Sequence, residues 1–216
     1  MKLMYRARSA MFMVAACLAA ILAAGCEDGG GGGLNLNKIG PNDPNAVVCM
    51  GDSITAGTAD GGAPYPARLA EMTGKRVINE GRGGEEAGGA AGRIGSVLRA
   101  NRPGVVTILY GANDVLHSRS DESILSALRR MINVAREDQT IPVLATLTPM
   151  TGLYKPWSGA VMALNDDIRV LAATEEVKLV DLEKEFSDAP DLFLHDGLHP
   201  TDLGNYLIAR AFAELF

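Results

Sequence analysis

From Ala46 onward, short apolar runs alternate with longer segments in which apolar residues recur every three or four positions. The first pattern is that of buried strands and the second that of helices with one buried face. Their alternation predicts βαβ units, a parallel sheet and helices on both of its faces. Five strands are expected, at residues 46–50, 76–79, 105–110, 143–147 and 178–181. Helices are expected at 64–72, 86–100, 121–136, 159–175 and 201–216. Ser120 or Asp121 can cap the third of these helices, Thr201 can cap the last, and Gly74 can close the first. The architecture implied is a three-layer α/β/α sandwich on a five-stranded parallel sheet of flavodoxin-like order, a single domain over residues 46–216.

The residues before Ala46 follow other rules. Lys2, Arg6 and Arg8 precede an uncharged apolar run from Ala10 to Ala24, the layout of a secretory signal. That run is shorter than the roughly 20 residues a membrane-spanning helix needs. It ends Leu22-Ala23-Ala24-Gly25-Cys26, which resembles the lipobox of bacterial lipoproteins with alanine in place of the usual leucine three residues before the cysteine. The resemblance implies diacylation of Cys26 and a protein exported and lipid-anchored to the bacterial cell envelope; an ordinary signal cut near Ala24 is the alternative. Residues 1–25 are thus expected to be the signal peptide, and residues 26–45, with five consecutive glycines, Gly29 to Gly33, a flexible tether that holds the domain clear of the membrane surface.

Charge and cysteine usage narrow the function. The chain of 216 residues carries 20 basic and 26 acidic residues; residues 1–25 hold three basic and no acidic ones, so their removal shifts the net charge from −6 to −9. An acidic domain is a poor nucleic-acid binder, and neither a zinc-ligand spacing nor a Walker-type phosphate loop is present. Cys17 falls in the signal, Cys26 is the lipid site, and Cys49 lies in an apolar strand, so no disulfide is expected.

The candidate chemistry lies at the ends of strands. The first strand runs into Gly51-Asp52-Ser53-Ile54-Thr55. Thr55 rules out the G-x-S-x-G elbow, which needs glycine there. The second strand runs into Asn79-Glu80-Gly81-Arg82-Gly83-Gly84-Glu85 and the third into Gly111-Ala112-Asn113-Asp114; Asp196-Gly197-Leu198-His199-Pro200 follows the fifth. In a parallel sheet these ends share one edge, where ligands bind. Two side chains three residues apart on a tight turn, Asp196 and His199, can face the same way.

In order and spacing, these four stretches resemble the four blocks of the SGNH hydrolases, the GDSL esterase/lipase family, and the resemblance spans residues 46–216. It implies Ser53 as nucleophile, His199 as general base and Asp196 as its partner. An oxyanion hole would be formed by the backbone N–H groups of Ser53 and Gly84 and the side-chain amide of Asn113. No metal and no organic cofactor are implied. The function expected is hydrolysis of carboxylic esters or thioesters through an acyl-enzyme. A carbohydrate O-acetylesterase of the same fold is a second possibility, and a catalytically silent, surface-tethered binding module is a third. The substrate is a small-molecule, lipid or glycan acyl ester.

Other polar residues at this edge have plainer readings. Asp52 and Asp114 are expected to hydrogen-bond loop backbone, His195 to be solvated and His117 to be a loop residue. Arg82 stands where the family often has an apolar or small residue. Short connections predict an open, shallow cleft. Tyr154 and Trp157, after the fourth strand, either line its acyl side or pack against the next helix.

Overall fold

The computed structural model describes residues 39–59, 61–187 and 189–216. Cys17, Cys26 and most of the expected tether lie outside the described residues. No helix among those described is long and apolar enough to cross a membrane.

Five parallel strands, β1 (Asp43–Gly51), β2 (Arg76–Gly81), β3 (Pro103–Leu109), β4 (Ile141–Ala145) and β5 (Lys178–Val180), form one sheet in the order β2-β1-β3-β4-β5. The second half of β1 and all of β3 are buried, which is why both read as unbroken apolar runs. In register, Val47 to Gly51 face Val105 to Leu109 on one side and Val77 to Gly81 on the other. The chain leaves β1 toward β2 and returns to β3 on β1's other side. The carboxyl end of β1 is therefore the point where strand order reverses, and the crevice of such sheets opens there.

The long helices are α2 (Tyr65–Thr73), α3 (Ala87–Asn101), α5 (Asp121–Glu137), α6 (Ser158–Thr174) and α8 (Asp202–Ala213). They form two layers, α3, α5 and α6 in one and α2 with α8 in the other. Tyr65 of α2 stacks on Phe212 of α8 with ring centroids 5.4 Å apart. In α5, Ile124, Leu128, Met131, Ile132 and Ala135 make the buried stripe that its periodicity announces. The caps fall where turn chemistry puts them: Ser120 accepts from the Ser123 N–H, Thr201 accepts from the Gly204 N–H, and Gly74 ends α2 at a positive φ.

Two features depart from the expectation. The sheet begins at Asp43, so residues 43–45, assigned above to the tether, belong to β1. Ile39 is buried, and the Asn42 amide donates to Asp138 O at 2.7 Å and to Thr140 Oγ1 at 3.2 Å. Polar composition hid residues 42–45 because hydrogen bonds of Asn42 and backbone pairing of Asp43, rather than an apolar run, secure them. The second departure is a set of short helices, α1 (Ser53–Ala56), α4 (Ala112–Leu116) and α7 (Leu182–Phe186), with a 3-10 segment at Gly152–Trp157. A single turn is too short to show a period.

Backbone clearance is tightest where β2 meets α1: a Cβ on Gly81 would lie 2.2 Å from the Ala56 nitrogen. Gly81→Ala is expected to destabilise the protein by about 1–3 kcal/mol through overpacking. Gly92, exposed on α3 with nothing within 4 Å of an added Cβ, should respond in the opposite direction. Gly92→Ala should stabilise by about 0.5–1 kcal/mol. Urea unfolding of the two variants checks both signs.

Candidate active site

β1 ends at Gly51, and the next three residues turn the chain into α1. Asp52 caps that turn by accepting from the Ile54 N–H at 3.0 Å. Gly51 is required because a Cβ there would lie 1.9 Å from Thr55 Oγ1. Ser53, the first residue of α1, is thereby held at the crevice, half-buried.

The partner of Ser53 comes from a loop 146 residues away in sequence: His199 Nε2 lies 2.9 Å from Ser53 Oγ. On the far side of the ring, His199 Nδ1 lies 2.5 Å from Asp196 Oδ2. The other oxygen, Asp196 Oδ1, accepts the N–H groups of Leu198 and His199 at 2.9 and 3.0 Å. The carboxylate is thus fixed in rotation before it meets the imidazole. Partial burial raises the Asp196 pKa, but the bonds from His199 and the two backbone N–H groups outweigh it, and the net shift is downward. Asp196 is therefore an anion at neutral pH, fit to orient an imidazole through Nδ1 and to stabilise its protonated form.

The loop is closed on itself by Leu194 N–H to His199 O at 2.8 Å and by a bridge between Phe193 and Pro200. It is also laced to the segment after β4, through Thr151 N–H to Gly197 O at 2.8 Å and Leu153 N–H to Asp196 O at 3.0 Å. Gly197 has φ +80°, and a Cβ there would lie 2.2 Å from Thr151 O, so only glycine permits the lacing.

Opposite this loop stand the candidate anion donors. Gly84, at φ +76°, and Gly83 are exposed, and their N–H groups donate to no backbone carbonyl among the described residues. Gly83 is near the serine: a Cβ on it would lie 4.0 Å from Ser53 Cβ. The Asn113 amide donates to Asp52 Oδ2 at 3.2 Å and to Glu85 O at 3.3 Å. Both contacts are at the long end for N–H···O bonds, so the amide is oriented yet able to share a hydrogen with an incoming oxyanion.

The structure thus brings together Ser53, His199 and Asp196, ties Asn113 to Asp52, which caps the turn that carries Ser53, and sets the Gly83 backbone beside Ser53. Asp52 and Asp114 hold backbone, as expected: Asp114 accepts the Ala87 N–H at the start of α3 at 3.0 Å. Both are buried. Burial raises the Asp114 pKa and raises that of Asp52 to about 6, the Ile54 N–H and the His199 charge opposing the second shift while the Asp114 charge adds to it. His195 is exposed, and His117 pairs with Glu86 at 2.8 Å. Burial pushes the Cys49 thiol up to about 12, which makes it inert at neutral pH.

Tyr154 and Trp157 lie in the 3-10 segment with ring centroids 5.9 Å apart, half-buried and packed against the core. The apolar side chain that this segment exposes is Leu153, 71% accessible. Among the described residues, no group of His, Cys, Asp and Glu is arranged to hold a metal ion.

Sequence reading missed a half-buried cluster beneath the second loop, in which Arg93 and Tyr110 grip Glu85. Glu85 and Arg93 are eight residues apart, beyond the three- and four-residue spacings that advertise ion pairs on helices. The one available signal was a lone charge following the run of small residues Ala87 to Gly92 and flanked on its other side by the uncharged Ile94 to Ser96.

Comparison with known proteins gives consistent results. The family model of the GDSL-like lipase/acylhydrolase family matches residues 49–207. A GDSL lipase of Mycobacterium tuberculosis, Rv0518, is 28% identical over 193 residues, covering 79% of this chain and 81% of its own. Among solved structures, a lipolytic G-D-S-L family protein of Desulfitobacterium hafniense superposes with a TM-score of 0.71 at 23% identity, over 80% of this chain and 99% of that one. The acetyl xylan esterase AlAXEase does so with a TM-score of 0.68 at 24% identity, over 77% and 97%.

The buried Asp52 carboxylate gives a pH test. Its pKa of about 6 in the fold exceeds the ordinary value of 3.8, so the folded state holds a proton that the unfolded state has released between those values. Stability therefore falls as pH rises through this window, leaving a penalty of about 3 kcal/mol at pH 7. Asp52→Asn keeps the cap to Ile54 and removes the penalty, so the variant should gain stability relative to wild type from pH 4 to pH 7. Activity should move the other way, by roughly 10-fold or more, because Asn113 loses its charged acceptor. Thermal melts across that range, with kcat at pH 7, measure both.

Proposed function

The chain belongs to the GDSL-like lipase/acylhydrolase family and hydrolyses esters; from that premise we propose that Ser53 is its nucleophile, His199 its general base and Asp196 the residue that orients the base. The observation that carries this reading is the unbroken hydrogen-bond path Ser53 Oγ, His199 Nε2, His199 Nδ1, Asp196 Oδ2, with links of 2.9 and 2.5 Å.

The reaction follows from the path. Ser53 Oγ attacks the acyl carbon while His199 Nε2 takes the hydroxyl proton, and Asp196 stabilises the imidazolium. The carbonyl oxygen becomes an oxyanion, received by the N–H groups of Ser53 and Gly84 and by the Asn113 amide. Collapse expels the alcohol or thiol, which takes its proton from His199 and leaves an acyl ester on Ser53. A water molecule, deprotonated by His199, attacks that ester; the acid departs and Ser53 recovers its proton.

Short connections at this edge support small acyl groups. One loop, residues 82–86, joins β2 to α3, and two residues, Tyr110 and Gly111, join β3 to α4. Burial of the first few methylenes, at about 0.8 kcal/mol each, favours butyryl or hexanoyl over acetyl esters. Beyond that length an open cleft buries little more, so kcat/KM should flatten or fall toward palmitoyl esters. A steady rise would indicate a closed channel. Leu153, the exposed side chain beside the Asp196 loop, supports an apolar rim for such groups. As for place, the sequence of residues 22–26 supports a diacylated Cys26 and an envelope-anchored enzyme; labelled fatty acid should enter the wild type and not Cys26→Ser.

Two substitutions test the chemistry. Ser53→Ala should abolish turnover of short-chain esters above the level left by binding alone. Asn113→Ala should lower kcat about 100- to 1,000-fold with little change in KM, because the amide acts on charge present only in the transition state. Steady-state kinetics at one leaving group decides each case.

A further inference from the structure

The loop carrying Gly83 and Gly84 has little of its own to hold it in shape. Neither glycine has a side chain to pack, and a Cβ built on Gly84 would meet nothing within 4 Å. Its backbone is pinned by Arg82 N–H to Gly51 O at 2.9 Å and by a turn, Glu85 N–H to Arg82 O at 3.1 Å. Glycine carries the largest backbone entropy of any residue, so two in succession favour many conformations over one. An oxyanion donor is effective only when its position is set before charge develops.

The missing constraint comes from α3 and β3. Arg93 donates from Nε to Glu85 Oε1 at 2.8 Å and from Nη2 to Glu85 Oε2 at 2.6 Å. The same Nη2 donates to the Glu80 carbonyl at 2.6 Å, and Nη1 reaches Glu80 Oε2 at 3.3 Å. Arg93 therefore grips the loop at both ends, one residue before Gly81 and one residue after Gly84. Tyr110, the residue just past β3, donates its hydroxyl to Glu85 Oε2 at 2.7 Å and accepts from Arg93 Nη2 at 3.0 Å. The Arg93 and Glu85 side chains are only 11% and 12% exposed. Glu85 also presents its backbone carbonyl to the Asn113 amide. One residue thus links the Gly84 N–H to the side-chain donor.

Against hydrophobic replacements, largely buried ion pairs add little net stability, so stability alone does not explain this cluster. We infer that Arg93 is a positioning residue that, through Glu85 and Tyr110, holds the Gly83-Gly84 turn and Asn113 in register as one oxyanion hole. The inference rests on the assignment of Ser53 and its oxyanion donors made above. Arg93 itself touches no reacting atom; its guanidinium fork acts at two points of one loop, which a lysine cannot reproduce.

The test compares wild type, Arg93→Ala, Arg93→Lys, Tyr110→Phe and the double variant Arg93→Ala, Asn113→Ala in the full chain, on one short-chain ester. Arg93→Ala should lower kcat on the order of 100-fold with KM nearly unchanged. Millimolar methylguanidinium should restore part of that loss, and Arg93→Lys should recover only a minor part. The double variant should lose much less than the product of its single losses, since both act on one hole. Unchanged kcat in Arg93→Ala, a loss confined to KM, or fully multiplicative losses would each overturn the inference. If Arg93→Ala does not fold, Tyr110→Phe decides: it leaves no charge unpaired, and its kcat should still fall several-fold at constant KM, whereas an unchanged kcat overturns the inference. A fluorophosphonate labelling control separates the two readings. Wild type unlabelled at Ser53 refutes the function, while labelled wild type with a fully active Arg93→Ala refutes only the positioning role.

Discussion

Much of the structure can be understood as what is needed to hold His199 Nε2 within 2.9 Å of Ser53 Oγ. The two atoms belong to opposite ends of the domain, at the close of the first strand and just before the last helix. The sheet and the helices packed on it bring these two loops, far apart in sequence, to one edge. The strand-order reversal at β1 sets the serine at the mouth of a crevice, and α8, packed on α2 through Tyr65 and Phe212, fixes where the histidine loop returns. Asn205 of α8 strengthens that return by accepting the Tyr65 N–H at 3.1 Å and donating to Gly61 O at 3.2 Å. The packing of two helices is thereby coupled to a hydrogen bond at the site.

Buried charge is concentrated around that bond. Asp52, Asp114, Glu85 and Arg93 are all buried or nearly so within one loop's reach of the crevice. Asp52 and Asp114 have raised pKa values through burial, the signature of groups kept where folding alone would not put them. Glu85 shows the opposite net direction: burial raises its pKa, but the bonds and charge of Arg93 with the Tyr110 hydroxyl more than compensate. The site therefore holds two kinds of buried carboxylate, one that costs stability to orient an amide and one that its partners keep ionised. Such local expense is the usual companion of a preorganised site.

How much of this was readable without coordinates depends on the range of each interaction. The strand runs announced themselves because β1 and β3 are buried on both faces, and α5 because its apolar stripe has a clear period. Ser53, Gly84 and Asn113 could be singled out because each stands in a short block just past a strand, whereas Asp196 and His199, separated from β5 by α7, stood out only through the family resemblance. Asp43 to Asn45 were not, since polar residues continuing a buried strand look like linker. The Arg93 cluster was hidden for a different reason: it joins α3, β3 and a loop through side chains whose spacing in the chain has no periodic meaning. Leu153, unlike the half-buried Tyr154 and Trp157, is exposed, a difference in burial that neighbouring positions in one loop do not reveal in sequence.

Catalysis by this path requires a covalent intermediate at one serine. Rapid acid quenching of the full chain during turnover of a short-chain p-nitrophenyl ester, followed by peptide mapping, observes it directly. The prediction is an acyl group on Ser53 alone, appearing with the burst of nitrophenol and decaying at the rate of steady-state turnover. An acyl group on another residue, or a burst with no adduct at any quench time, would contradict it.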